Sequence, residues 1–362
     1  MPEKNNRDSK KFTDWSCGSP RTVSKSQMQE WAKPTRSETS LSGSIIPKSG
    51  EGAAAMGVIT TVPLGVAATA LAVYGFELYG LVLFCFLPFA IGLNSSLIYG
   101  YHKERRFKKT MWVSQAALFA VLGVIFLLAM EGAICLIMAA PIAMVLTGLG
   151  ASIGWAISKK YFGTKIRTAT LVSLIISVPA LMGFEDAAYG EPHWITVTTE
   201  VFVDAPQQEV WEHLVDPSAL VESEDVFFRR GVAHPNYVEL LGEGPGATLR
   251  GEFSTGSFEL AIDEWDAPNR LAVSVVEHPP TMQEWSIYGE IDAPHLVDYF
   301  VCETGQIELT PTTAADRTLL RATTTCRQQL GPQWYWSLWS ETIIDRLHHH
   351  FFEDLRRRVE AR

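Results

Sequence analysis

Residues 192–362 contain no lysine. Twelve Arg stand there against 28 Asp/Glu, a formal charge of −16. Phosphate backbones and anionic headgroups repel such a surface, which excludes nucleic acid as a partner. Between 57 and 184, charge is almost missing: outside two short basic stretches only Glu77 and Glu131 carry one. Cysteine is scarce too. The five present, Cys17, Cys85, Cys135, Cys302 and Cys326, form no CxxC, which excludes the usual structural zinc sites, and no metal or cofactor is implied elsewhere. Residues 1–55 lack the apolar core of a signal peptide and are rich in Ser, Lys and Thr. They read as a disordered cytoplasmic tail with net charge +3, and Met56, just before the first apolar run, is an alternative start.

What fills the charge-poor region is hydrocarbon. A bilayer core is crossed by about 20 apolar helical residues. The run over 57–99 is twice that length and breaks near Gly75–Gly80; the run over 111–157 breaks at Glu131–Gly132; a third covers 168–184. The expectation is a membrane domain over 56–185 with helices at 57–76, 78–99, 111–130, 132–157 and 168–184. Two loops are basic, His102–Lys109 with five Lys/Arg and Lys159–Arg167 with four, whereas the turns at Glu77 and Glu131 hold none. The positive-inside tendency puts the N-terminus and both basic loops in the cytoplasm. Five spans then leave the C-terminal part on the periplasmic or extracellular side of the cytoplasmic membrane.

An internal repeat supports this count. Glu77, Glu131 and Glu185 are spaced 54 and 54 residues apart, and two of them end the tripeptide Gly-Phe-Glu. Each closes an outward-going helix. Three carboxylates at the outer membrane level are candidates for a cation or proton site, since a charge near hydrocarbon is costly; the plainer reading is that they mark helix ends at the water interface.

After 192 the pattern changes. Trp194–Val203 alternates as a strand does, and Asp204-Ala-Pro206 opens a helix with Asp204 as its N-cap and Val210, Trp211 and Leu214 on one face. Strand-like runs follow at 236–242, 247–255, 257–266, 270–278, 283–291, 297–310 and 317–328. One long amphipathic helix over 332–360 ends the chain, with Ile344, Leu347, Phe351, Leu355 and Val359 at helical spacing. The opening strand, the motif Asp204-Ala-Pro-x-x-x-Val210-Trp211-x-x-Leu214-x-Asp216, the antiparallel strands and the final helix resemble the START-like, or SRPBCC, superfamily of polyketide cyclase/dehydrase-like and lipid-transfer proteins. The resemblance covers residues 192–362 and has no counterpart for the membrane half. It implies an α+β helix-grip fold: a curved antiparallel sheet around the long C-terminal helix, with an apolar cavity between them. Candidate lining residues are Trp285, Ile287, Tyr299, Trp336, Trp339 and Ile343.

No catalytic constellation is forced by the spacing. His348-His349-His350 point about 100° apart on a helix and do not converge on one ion. Glu264, Asp266, Glu277, His278 and Glu284 lie near strand ends as acid–base candidates, without a defined nucleophile. Gly242–Gly246 reads as a hairpin turn. Cys302 and Cys326 flank a hairpin centred near Ala314 and are disulfide candidates in an oxidising compartment. The leading expectation is an integral membrane protein whose START-like domain binds a hydrophobic small molecule or lipid at the outer face. Alternatives are a cyclase/dehydrase-like enzyme on a polyketide or isoprenoid substrate, and a sensory or assembly module with no ligand.

Overall fold

The computed structural model describes residues 46–160, 164–188, 192–216, 218–219, 225–291, 295–313 and 316–360. Most of the expected tail, residues 1–45, lies outside the described residues.

Among the described residues five helices come first: α1 Gly50–Gly75, α2 Val82–Tyr99, α3 Phe107–Leu127, α4 Ala133–Lys160 and α5 Thr164–Ala187. Among the described residues, α1 to α4 are long and apolar enough to cross a membrane. Helix α1 begins seven residues before the apolar run at 57, because Ser49 caps it. The Ser49 hydroxyl accepts from the Gly52 amide at 3.1 Å, and small residues carry the helix forward. The start of α3 and the end of α4 extend into the basic flanks, taking in Lys108 and Lys109, and Lys159 and Lys160.

Helix α2 is the centre of the bundle: 78 % of its apolar stretch is buried, against 33 % for α1, α3 and α4. It crosses α4 on small residues. A methyl group on Gly92 would lie 2.0 Å from the Thr147 carbonyl oxygen, and one on Gly150 would lie 2.0 Å from that of Phe89. Close backbone approach and interhelical hydrogen bonds hold the helices together. The polar residues of α2 serve there: Asn94 donates to Thr61 at 2.8 Å, Ser96 donates to the Ala151 carbonyl at 3.0 Å, and Ser95 donates to Ser114 at 2.9 Å.

The second half builds β1 His193–Val203, α6 Gln207–Leu214, β2 Ser218–Ala219, α7 Val226–Arg229, β3 Pro235–Leu241, β4 Thr248–Phe253, β5 Gly256–Asp266, β6 Arg270–Glu277, β7 Glu284–Ser286, β8 Gly289–Ile291, α8 His295–Asp298, β9 Phe300–Pro311, β10 Thr318–Gln328 and α9 Gln333–Glu360. Eight strands make one antiparallel sheet in the order β1-β10-β9-β6-β5-β4-β3-β2. The sheet grips α9, whose Phe352, Leu355 and Val359 are buried with Val203, Val210, Trp211, Ile262, Leu271 and Leu320. This is the helix-grip arrangement. Removing a fully buried ring such as Phe352 costs about 3–5 kcal/mol.

Two local readings are corrected. Asp204 does not cap α6: Pro206 occupies the cap position, and the Asp204 carboxylate, three residues ahead of the helix, meets Arg317 at 3.1 Å. The run 283–291 is not a strand of the main sheet. It folds on itself as the β7–β8 hairpin, turning at Ile287–Tyr288 just before Gly289, whose φ of 105° favours glycine.

Candidate functional site

A cavity of about 350 Å³ lies between sheet and helix. Its walls are Leu240, Leu249, Leu260, Val273 and Ile307 from the strands, and Ile343, Leu347 and Phe351 from α9. Alternation along each strand directs these side chains inward, and the spacing 343, 347, 351 places three on one helix face. The volume falls in the range that holds small organic ligands. Polar groups are few: Thr304, Gln306, Thr324 and His348 inside, with Asp216, Glu277, His278 and Arg358 also on the lining.

His348 sits in a hydrogen-bonded chain. The Thr199 hydroxyl donates to Asp345 at 2.6 Å and lies 2.9 Å from His348 Nδ1; Thr324 Oγ1 lies 2.7 Å from His348 Nε2. Since Thr199 spends its one proton on the carboxylate, His348 Nδ1–H must donate to Thr199, and Nε2 accepts from Thr324. Burial drives the imidazole down to about 4, only partly opposed by Asp345, so it is neutral at physiological pH. The neighbours point elsewhere: His349 faces Asp345 at 3.7 Å, and the His350 ring lies 5.6 Å from Phe228.

The six residues named from sequence are spread over two regions. Ile343 lines the cavity. The other five stand where the domain meets the bundle. Trp336 is packed with Tyr335 against Met138, Ala139 and Ile142 of α4, and Trp339 joins this cluster. The Tyr299 hydroxyl donates to the Glu77 carbonyl, and its ring meets that of Tyr79 at 4.9 Å. Trp285 approaches Phe126 of α3 at 6.3 Å, and Ile287 is exposed at the hairpin tip. The reason is that the first turns of α9 and the β7–β8 hairpin face the bundle rather than the cavity.

Glu77, Glu131 and Glu185 lie at the same end of the bundle but do not converge. Glu77 is exposed. The Glu185 carboxylate takes hydrogen bonds from the Leu81 and Val82 amides at 2.5 and 3.0 Å, capping α2. Glu131 is buried and accepts from the Tyr79 hydroxyl at 2.7 Å. Burial raises its carboxyl to about 7; Tyr79 pulls the other way, and nearby Glu284 adds to the rise. Among the described residues no three metal-ligating side chains cluster.

The sequence offers Glu284 only as an acid–base candidate; the structure makes it the most buried carboxylate of the junction. Glu284 on β7 is 1 % exposed and crosses to the N-terminus of α4, where the Ile134 and Cys135 amides donate to it at 3.0 and 2.7 Å. A helix N-terminus attracts negative charge, so the C-terminal half supplies a cap to α4. Glu284 is therefore structural rather than an acid–base group in the cavity. Glu264 lies on the surface against Arg270 at 3.4 Å, while Glu277 and His278 remain on the cavity lining. The sulfurs of Cys302 and Cys326, on adjacent strands, stand at bonding distance.

No family model matches the chain, and no curated protein matches it. Solved structures do. Truncated norcoclaurine synthase from Thalictrum flavum is 14 % identical, with 48 % of this chain and 98 % of that one covered and a TM-score of 0.31. The Zhui aromatase/cyclase from Streptomyces sp. R1128 is 20 % identical over 47 % of this chain and 96 % of that one, with a TM-score of 0.31. The Aha1 dimer from Colwellia psychrerythraea is 10 % identical over 46 % and 96 %, with a TM-score of 0.28. Likenesses at this level assign no activity to this chain.

Proposed function

We propose that the chain is a membrane-anchored START-like protein that binds a hydrophobic small molecule or lipid at the outer face of the cytoplasmic membrane. The observation that carries this is the apolar cavity of about 350 Å³ in a domain seated directly on a membrane bundle. A ligand partitioned into the bilayer is concentrated next to a tethered site. The exposed Trp285, Ile287 and Tyr288 of the β7–β8 hairpin, with Trp334 and Leu338 of α9, suit the interfacial zone where aromatic side chains settle. The side of the membrane rests on the positive-inside reading of the two basic stretches, His102–Lys109 and Lys159–Arg167. A cavity left unfilled by side chains speaks against a module without ligand.

The test uses the full chain extracted from host membranes in native lipid discs, with bound small molecules released and identified by mass spectrometry. A defined apolar species is expected at near one per chain, and it should be lost in a Leu249→Trp variant that fills the cavity. Recovery only of bulk lipid, equal in both proteins, ends the reading. Protease added to intact spheroplasts should cut the C-terminal domain; protection reverses the orientation.

The chain Asp345–Thr199–His348–Thr324 favours a second reading, an acid–base enzyme of the cyclase/dehydrase kind. Its neutral imidazole reaches the cavity wall through the Thr324 hydroxyl. Turnover of an isolated ligand that falls at least tenfold in His348→Gln, with binding retained, would select this reading.

A further inference from the structure

A second cavity, of about 130 Å³, runs inside the membrane bundle. It reaches between α2 and α3 to Ile91, Leu118 and Val121, and it also touches Trp336 and Ile343 of α9. Thr281, Phe300 and Ile343 line both this cavity and the one in the helix-grip domain. These three side chains form a wall common to the two cavities. Phe300 and Ile343 are partly exposed, so neither is locked in a fully packed core. The bundle cavity is apolar apart from Thr69, Tyr79, Glu131, Cys135, Thr281 and Ser340. Of these, the Glu131–Tyr79 pair is the hydrogen-bonding station at the domain end.

We infer that the helix-grip cavity is loaded sideways from the bilayer through the bundle cavity, by a slender neutral amphiphile whose single hydroxyl or carbonyl end group meets the Glu131–Tyr79 pair while its chain passes Thr281, Phe300 and Ile343. This rests on the ligand-binding reading above and adds the route and the chemical class. Neutrality follows from the wall: its lining residues include no cationic side chain to pair an anionic headgroup, and an unpaired charge is costly in apolar surroundings. A single chain follows from the volume, since about 130 Å³ is a narrow branch of the larger cavity rather than a pocket of drug size. The bundle thereby acts as a doorway as well as an anchor. A route through hydrocarbon spares an apolar ligand any passage through water, the step that the hydrophobic effect opposes most strongly.

The experiment places the full chain in phosphatidylcholine vesicles with a long-chain alcohol carrying a photoreactive diazirine, and maps crosslinked residues by mass spectrometry. In wild type, label is expected both on the bundle wall, at Leu118 or Leu122, and on the helix-grip wall, at Leu249 or Val273. Ala143→Phe, which plugs the bundle branch, should reduce helix-grip labelling from vesicles at least fivefold, yet leave it unchanged when cyclodextrin delivers the probe from water. Phe300→Ala, which widens the shared wall, should label the helix-grip cavity faster. Equal vesicle labelling in the plugged variant, or an unchanged rate in Phe300→Ala, overturns the sideways route while the ligand-binding reading stands. Absence of label from the helix-grip wall under both modes of delivery overturns both. A plugged variant that misfolds loses the cyclodextrin-delivered signal too, and Phe300→Ala then decides.

Discussion

Replacing Glu284 should loosen the joint between the soluble domain and the bundle. Its carboxylate is buried and holds the Ile134 and Cys135 amides at 3.0 and 2.7 Å. Hydrogen bonds to a charged group contribute roughly 1.5–3 kcal/mol, and loss of a helix cap costs about 0.5–2 kcal/mol. Both figures describe the same two contacts and are not summed, so Glu284→Ala is expected to cost about 1.5–3 kcal/mol. Glu284→Gln keeps the shape and one acceptor but not the charge, and should cost about half as much. The assay is thermal unfolding of the full chain in detergent at fixed pH, where the alanine variant should melt lower by about 2–4 °C. Gly132→Ala offers an independent handle: its new methyl would sit 2.0 Å from Glu284 Oε2 and displace the carboxylate. Because both changes break one contact, the double variant should lose clearly less than the two single losses together. A melting point for Glu284→Ala within about 1 °C of wild type, or full additivity with Gly132→Ala, would refute this account of the joint.

Glu131→Gln should gain on wild type as pH rises. The folded carboxyl, raised to about 7, holds a proton that the unfolded chain releases near 4.5, so its contribution falls by about 3 kcal/mol between those values and is flat above; melting curves over pH 4–8 measure the difference, and parallel curves count against the burial described. His348→Gln should tilt the other way. The folded imidazole, lowered to about 4, stays neutral while the unfolded one protonates near 6.5, so wild type loses about 3 kcal/mol relative to the variant as pH falls through that window; a difference of the opposite sign in the same melts rejects the buried, neutral assignment. Titration of thiols in the denatured, unreduced chain should find three, from Cys17, Cys85 and Cys135, while five would exclude a Cys302–Cys326 disulfide. Gly150→Ala should destabilise the bundle by about 1–3 kcal/mol by forcing α2 from α4, whereas Gly183→Ala, which meets nothing within 4 Å, should be neutral or slightly stabilising in the same melt.

The order of helices and strands was legible because periodicity reports it directly: apolar runs for the bundle, alternation for β1, β5 and β10, and a 3.6-residue stripe for α9. The junction was not. A helical stripe says that a face is covered, not by what, so the aromatic first turns of α9 read as cavity wall although Tyr335 and Trp336 cover α4. Trp285 and Ile287 carried the alternation of a sheet strand, and nothing in nine residues announces that they leave the sheet as a hairpin. Glu284 was one acid among 28 in the second half. Its distinction lies in a partner 150 residues away, which spacing cannot express. The 54-residue rhythm of Glu77, Glu131 and Glu185 marked helix ends correctly while hiding that each side chain has different surroundings.

The Glu284 cap also imposes an order on biosynthesis. The amides of Ile134 and Cys135 leave the ribosome well before the carboxylate that accepts from them. At about 5–20 residues per second that interval is roughly 8–30 s, during which the first turn of α4 is without the carboxylate that accepts from it in the folded chain. The last stage of bundle assembly is thus timed by the emergence of β7. A truncation between 188 and 284 would release a bundle whose fourth helix never receives its cap.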